Sequence, residues 1–408
     1  MSKLGGSRFG WSYVQAASDC PTKWYLRNLA PWPGSVVQVD PTTRALSISR
    51  DSGTPPISGP SRPPIGGGVP DLPISGTDGL PISGAQGDSP SLPIGLEAKR
   101  FSAPLDVGSR VHLGLEAWYL SGVQGGHDTQ VRDLEMALAA VAKDFPTDPT
   151  EPEVEALSLA QRLVRDYVTF YGNDPGVEVV VFPDGQPAVE AELWLDLGWG
   201  GTEGQPGQPG QPNYQFTSRL DLIYKRDGYL WALEHKTTAA SAYGKLLSRF
   251  TLDGQVTGQF LQLASHFPNE PIGGVTLNAL VKDRSVKSGL PAFSRRDYAR
   301  TPAQLEKFRL DITRKLHTIN LWVEEWLELV AKGMSPEDAA LAVFDGTPNG
   351  TQCVGMGFSC DFLSICQNRE VASRLLLDNF EPREYRDSWS NPLRTSLSAS
   401  IETNKDET

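Results

Sequence analysis

Ser218-Arg-Leu-Asp-Leu-Ile-Tyr-Lys-Arg-Asp-Gly-Tyr-Leu-Trp-Ala-Leu-Glu-His-Lys-Thr-Thr238 places two runs with β-branched and aromatic residues on either side of Asp227-Gly228. That dipeptide favours a two-residue primed turn, because both central positions need positive φ. The stretch predicts a β-hairpin. With Asp227 and Gly228 as the loop, Arg226 faces Tyr229 and Asp221 faces Glu234, a non-hydrogen-bonded pair with Cα atoms about 4.5 Å apart. Lys236 lies two residues past Glu234 and shares its face. Opposed carboxylates destabilise a bare sheet, so the pattern fits a divalent cation between them. Oxygen ligands suit Mg²⁺ or Mn²⁺, and Lys236 could orient or deprotonate an attacking water. The plain alternative is a solvated strand face on which Lys236 offsets the acids.

An Asp followed by Glu-x-Lys on the neighbouring strand resembles the core of the PD-(D/E)XK nuclease superfamily. Ser218-Arg-Leu-Asp221 stands where that family often has Gly-x-x-Asp, and Glu234-His235-Lys236-Thr237 matches its Glu-x-Lys-Thr.

The composition is consistent with a large domain carrying additions. Of 408 residues 39% are hydrophobic, and 40 Gly and 32 Pro dilute the core-forming content. From Pro41 to Leu96 the chain is Pro, Gly and Ser with scattered Asp, and Pro-Ile-Ser-Gly recurs at Pro56, Pro73 and Pro81. Its irregular spacing excludes a solenoid, and its low apolar density predicts a disordered or loosely extended insertion, with partner docking as a secondary role. The expected divisions are an N-terminal helix over 1–40, the insertion over 41–98, a catalytic core over 99–300, a long helix and cysteine segment over 301–375, and a tail over 376–408. No apolar run reaches membrane-spanning length and no secretory pattern opens the chain, so an intracellular, cytoplasmic location is expected. A net charge of −12 argues against a generally basic nucleic-acid coat but leaves room for a local positive channel. The lack of a phosphate-loop motif makes a motor improbable, so any helicase or recombination partner would be a separate chain.

Helical spacing over Val107–Leu120 puts His112 and Glu116 on one face. In the RecB-like branch of the superfamily a Gly-x-x-x-His helix supplies a metal ligand, and Gly108 and His112 fit that spacing. Residues 153–171 predict an amphipathic core helix, and 177–181 and 188–195 predict strands. Glu192 sits where related nucleases keep an acidic residue, or is an exposed strand residue. A helix over 255–264 resembles the RecB-like Gln-x-x-x-Tyr motif, with Gln255 in the glutamine position and Gln259 replacing the tyrosine. A strand over 274–281 leads to basic residues, of which Lys282, Arg284 and Arg295 are candidates for phosphate contact. From Thr301 to Gly333 an apolar stripe through Ile312, Leu316, Ile319 and Trp326 predicts the longest helix.

Cys20, Cys353, Cys360 and Cys366 are all the cysteines in the chain. One near the start and three near the end resemble the clasp with which some RecB-like nucleases hold a 4Fe-4S cluster. Cys360-x5-Cys366 matches, whereas the gap from Cys353 to Cys360 is longer than the common one. Zinc or free thiols are the alternatives.

The resemblance implies an α/β fold, a mixed sheet flanked by helices. It also implies a metal-dependent DNA exonuclease of phage or bacterial recombination and repair type, acting on free ends or single strands. In the implied site Asp221, Glu234, His112 and the backbone carbonyl of His235 hold Mg²⁺ or Mn²⁺, with Lys236 and Gln255 assisting. The competing class is a non-catalytic iron-sulfur DNA-binding or assembly module.

Overall fold

The computed structural model describes residues 11–30, 35–39, 46–50, 96–98, 101–124, 133–172, 174, 176–197, 214–282, 292–344, 353–355, 358–368 and 372–382. Helices α1 (Trp11–Asp19) and α2 (Pro21–Asn28) open the chain. Pro21 ends the first and suits the first turn of the second, which Cys20 caps by accepting the Lys23 amide on Sγ at 3.4 Å. Strands β1 (Ser35–Val39) and β2 (Leu46–Arg50) pair antiparallel. This hairpin crosses the boundary expected at residue 40, because Leu46-Ser-Ile-Ser-Arg50 alternates apolar and polar residues and is not part of the Pro-rich composition that follows it. The remainder of that insertion, 51–95, lies outside the described residues.

After β3 (Leu96–Ala98) come α3 (Ala103–Gln124), α4 (Leu134–Val141) and α5 (Glu151–Tyr171). At the start of α5 the Glu153 carboxylate accepts the Thr150 amide at 2.7 Å, which satisfies a donor the helix cannot. The sheet follows, with β4 (Glu178–Val179), β5 (Val189–Asp196), β6 (Gln215–Arg226) and β7 (Tyr229–Thr238). Helices α6 (Tyr243–Phe250) and α7 (Gly254–His266) then cross over to β8 (Ile272–Val281) and β9 (Phe293–Tyr298). β4 and β5 both pair with one edge of β6, and the order continues β6-β7-β8-β9. Among the described strands only β7 and β8 pair in parallel, as the helical crossover between them requires. The fold is therefore α/β, a mixed sheet flanked by helices.

One face of the sheet buries Leu222, Tyr224 and Leu233 under Val111, Leu115, Trp118 and Tyr167 of α3 and α5. The other buries Leu230, Ala232, Val275 and Leu277 under Val256, Phe260 and Leu263 of α7.

The chain ends in α8 (Pro302–Ala331), α9 (Pro336–Phe344), β10 (Val354–Gly355), β11 (Phe358–Ser359), α10 (Leu363–Gln367), α11 (Ala372–Asn379) and β12 (Phe380–Pro382). β12 pairs antiparallel with β3, so ordered structure crosses the boundary expected at residue 375. Trp24, Tyr25 and Leu29 join Trp326, Phe344, Phe362 and Phe380 in a core of their own. Among the described residues no helix is long and apolar enough to cross a membrane.

The β6–β7 turn has the geometry its sequence predicts, with φ of 53° at Asp227 and 79° at Gly228. The register from Arg226↔Tyr229 to Leu222↔Leu233 follows from it. Gly228→Val places a β-branched residue at positive φ, and urea unfolding should show a loss of about 1–2 kcal/mol.

Candidate metal and catalytic site

The site forms where two strands change face together. Along β5, Val189 packs toward α3 and α5, whereas Ala191 and Leu193 pack toward α7; along β6, Leu222 takes the first side and Leu220 and Ile223 the second. Residues two apart in a regular strand share a face, so both strands are irregular between these positions. Glu190 and Asp221 occupy that point, and the β5–β6 ladder pairs the residues on either side of them but not the two themselves. Glu190 adopts a φ of 49°, a conformation that costs an L-residue about 1–3 kcal/mol and that clusters at functional sites.

Across this point stands His112 on α3. Its Nδ1 lies 3.4 Å from Asp221 Oδ1 and 3.8 Å from Glu190 Oε1. Among the described residues these three form the group of ligand-type side chains whose atoms all fall within 4.8 Å of one another. Gly108, one turn before His112, would carry a Cβ 3.5 Å from Thr237 Oγ1, so α3 lies directly against the end of β7.

His235 fixes two members of the trio through its backbone. In a regular ladder its amide would pair with the Leu220 carbonyl; instead it donates to Asp221 Oδ2 at 2.6 Å. Its carbonyl lies 3.0 Å from His112 Nε2 and accepts from it. That bond leaves Nδ1 as the atom facing the carboxylates, the tautomer a metal ligand needs. The His235 side chain points toward α3 and α5, where Asn278 Nδ2 donates to its Nδ1 at 2.6 Å and Tyr119 stacks on the ring. Burial pushes the His235 pKa down to about 3, so this ring is neutral.

Glu234 and Lys236 share the α7 face, as the strand period predicts, and are ion-paired. Gln255 Nε2 donates to Glu234 Oε1 at 2.8 Å, and Gln259 Nε2 donates to Oε2 at 2.6 Å. Both carboxylate oxygens are thus engaged. The structure gathers Glu190 with His112 and Asp221, and places Glu234, expected as a ligand, against Lys236 and the two glutamines. The His235 carbonyl, expected as a further ligand, is directed at His112. Glu192, the acid singled out on β5, pairs instead with Arg219, whose Nη2 is 2.7 Å from Oε1.

Burial opposes a charge on His112, but Asp221 and Glu190 outweigh it and hold the imidazole pKa well above its ordinary value. Burial likewise works against the Asp221 carboxylate, yet His112, His235 and Lys236 keep its pKa below the usual carboxylate range. Glu190 and Glu234 are raised, chiefly by burial and then by neighbouring acids. Lys236 is raised because Glu234 and Asp221 overcome its burial. A proton on His112 therefore occupies the position a cation would neutralise. One imidazole and two carboxylates suit Mg²⁺ or Mn²⁺, and the nitrogen donor favours Mn²⁺.

The sequence profile of the PD-(D/E)XK nuclease superfamily matches residues 91–367, a span that contains the trio, Glu234, Lys236 and both glutamines. The chain belongs to the PD-(D/E)XK nuclease superfamily. No curated protein matches it. Membership implies a nuclease-type function on DNA, and PD-(D/E)XK nucleases use Mg²⁺ or Mn²⁺. The trio provides a candidate acidic site for such an ion.

Other expected residues fall elsewhere. Arg295, read as part of a basic phosphate-contacting cluster, lies on β9 and turns inward. It donates to Asp174 at 2.8 Å and to Tyr167 Oη at 2.7 Å, and its guanidinium lies 4.0 Å from the centre of the Tyr171 ring. These contacts hold the guanidinium against the protein, and the alternation Phe293-Ser-Arg295 on an edge strand accounts for its inward turn. Lys282 follows β8, with Nζ 3.5 Å from the Pro104 carbonyl; Arg284 lies outside the described residues. Cys360 donates its amide to the Cys353 carbonyl at 2.9 Å. Burial pushes the Cys360 thiol up, and the nearby Cys20 and Cys353 add to this. No three of the cysteines, all in described positions, meet the 4.8 Å separation found at the trio.

Two outcomes test the trio. Glu190→Gln should raise the Mn²⁺ concentration needed for half-maximal binding by at least about a hundredfold, beyond what outer contacts contribute, whereas Glu192→Gln should not. A raised folded-state pKa stabilises fully below the unfolded value, about 6.5 for His, and that stability is lost as pH rises through the folded value. In EDTA the melting temperature should therefore fall as pH climbs above about 6.5, and His112→Gln should flatten that fall. Metal affinity should rise over the same interval, as the proton leaves Nδ1.

Proposed function

We propose that this chain is a metal-dependent DNA exonuclease of the RecB-like branch, of phage or bacterial recombination and repair type, with an iron-sulfur clasp joining its ends. The observation that carries the catalytic reading is the adjacency of two sets of side chains. His112, Glu190 and Asp221 gather on one side of the His235 backbone, and Lys236 is held by Glu234 beside them. Mg²⁺ or Mn²⁺ held by the trio would supply Lewis-acid stabilisation of charge on the phosphate. Lys236 orients the water that attacks phosphorus, and Glu234 keeps its ammonium in place. Gln255 and Gln259 hold Glu234, so a glutamine amide does the work of the tyrosine hydroxyl in the related motif. Lys282 remains the described candidate for contact with the DNA backbone, with Arg284 beyond it in sequence.

The clasp reading rests on the approach of Cys20 and Cys353 to Cys360, the first across more than three hundred residues of chain. A cluster spaces its thiolates more widely than one tetrahedral zinc with Zn–S bonds of about 2.3 Å. Four thiolates suit either metal, and the resemblance of the cysteine order favours the cluster. Its role is structural, and no redox step is required. The expected divisions at 99–300 and 301–375 are retained as a catalytic core and a closing segment.

The test is degradation of end-labelled single- and double-stranded DNA by protein purified without oxygen, in Mn²⁺, Mg²⁺ or EDTA. Lys236→Ala should lower the rate by about 10²–10⁴ with folding intact by circular dichroism. Asp221→Ala should abolish cleavage. Full activity in either variant overturns the nuclease assignment. For the clasp, the wild type should contain about four iron atoms per chain and Cys20→Ser should lose them and melt at lower temperature; stoichiometric zinc in the wild type would replace the cluster.

A further inference from the structure

Arg219 and Glu192 are direct cross-strand partners on β6 and β5, two positions along from Asp221 and Glu190. Besides its 2.7 Å bond to Glu192, Arg219 brings Nε to 3.9 Å from Glu190 Oε2, too long for a hydrogen bond. Its side chain is 19% exposed, and those of both glutamates 13%. The guanidinium is therefore held at the mouth of the trio without being sealed in. Lys236 stands on β7, the strand beside β6, and its charge also reaches Asp221, so two cations flank the trio.

The charge count of the site gives Arg219 a task beyond pairing. The site gathers four carboxylates, Glu190, Glu192, Asp221 and Glu234. A divalent cation and Lys236 leave it with surplus negative charge, which would repel an incoming phosphate. The guanidinium supplies the missing charge, and its planar fork matches phosphate oxygens as an ammonium does not.

We infer that Arg219 contacts a non-bridging oxygen of the substrate phosphate, with Glu192 aiming it. This rests on the nuclease reading above and adds a phosphate ligand to that site. The attacking water is managed from the Lys236 side, and the phosphate charge is received from the Arg219 side.

The experiment compares wild type, Arg219→Gln, Arg219→Lys, Glu192→Gln and the double variant Arg219→Gln/Glu192→Gln. Each is checked for melting temperature and assayed on a short fluorescein-labelled single-stranded oligonucleotide. Cleavage is measured in saturating Mn²⁺, and equilibrium binding in Ca²⁺. Arg219→Gln should lower kcat/KM by about a hundredfold, the scale of losing one preorganised donor at a developing charge, and should weaken binding in Ca²⁺. Arg219→Lys should fall between it and wild type, and Glu192→Gln, which loosens the aim but keeps an acceptor for the guanidinium, should lower kcat/KM by less than Arg219→Gln does. The double variant restores the charge balance without the fork, so it should remain as impaired as Arg219→Gln. Recovery in the double variant would mean that Arg219 only neutralises Glu192, and would overturn the inference, as would unchanged binding and cleavage in Arg219→Gln. If Arg219→Gln does not fold, Arg219→Lys decides: full wild-type cleavage and binding in it overturns the fork contact. A wild type that binds but does not cleave would defeat the nuclease reading, while the Ca²⁺ binding comparison would still decide the role of Arg219.

Discussion

The backbone amide of His235 donates to Asp221 and its carbonyl accepts from His112, so one residue aligns two side chains that arrive from different elements. Both bonds exist because β6 leaves its regular ladder after Leu222, which frees the amide and brings the Asp221 carboxylate to it. Charge-assisted bonds of this kind are short and directional, and they fix the carboxylate before any cation arrives. Behind His235 the support continues through Asn278 to the hydroxyl of Tyr167, and from there to Tyr119, Asp174 and Arg295. A residue that reads as surface charge in the sequence thus ends as the buried anchor of this chain of contacts.

The hairpin was legible because two residues determine its register. Asp227-Gly228 admits one short turn, and once the turn is set every facing pair follows to Leu222 and Leu233. The pairing of β5 with β6 has no such marker. A long Gly-Gln-Pro connection separates them, so nothing local says whether Glu190 or Glu192 meets Asp221, and a one-residue difference exchanges the faces. The positive φ at Glu190 is similarly invisible, since glutamate carries no preference for it.

The glutamine helix shows the reverse situation. Gln259 looked like a defect when compared with a tyrosine motif, yet its amide reaches the same kind of acceptor, the free oxygen of Glu234. What matters at that position is a donor of the right length on the turn after Gln255. Lys236 was legible by strand period alone, and His112 by helix spacing together with the motif downstream. The inward turn of Arg295 was not legible, because a short edge strand with two arginines carries little apolar signal.

The core that joins Trp24 and Tyr25 to Trp326, Phe344 and Phe380 is assembled from the two extremes of the described chain. Such contacts have very high sequence separation, and the loop entropy spent to form them is recovered only when the intervening structure is in place. On a ribosome the aromatic face of α2 is made long before α8, α9 and β12, whose Trp326, Phe344 and Phe380 complete its core. The sheet that carries the site can fold in the interval, whereas the end-to-end core is completed last. The early helix is therefore the part of the nascent chain that must be kept from sticking elsewhere, and synthesis that stops before Phe380 leaves it uncovered.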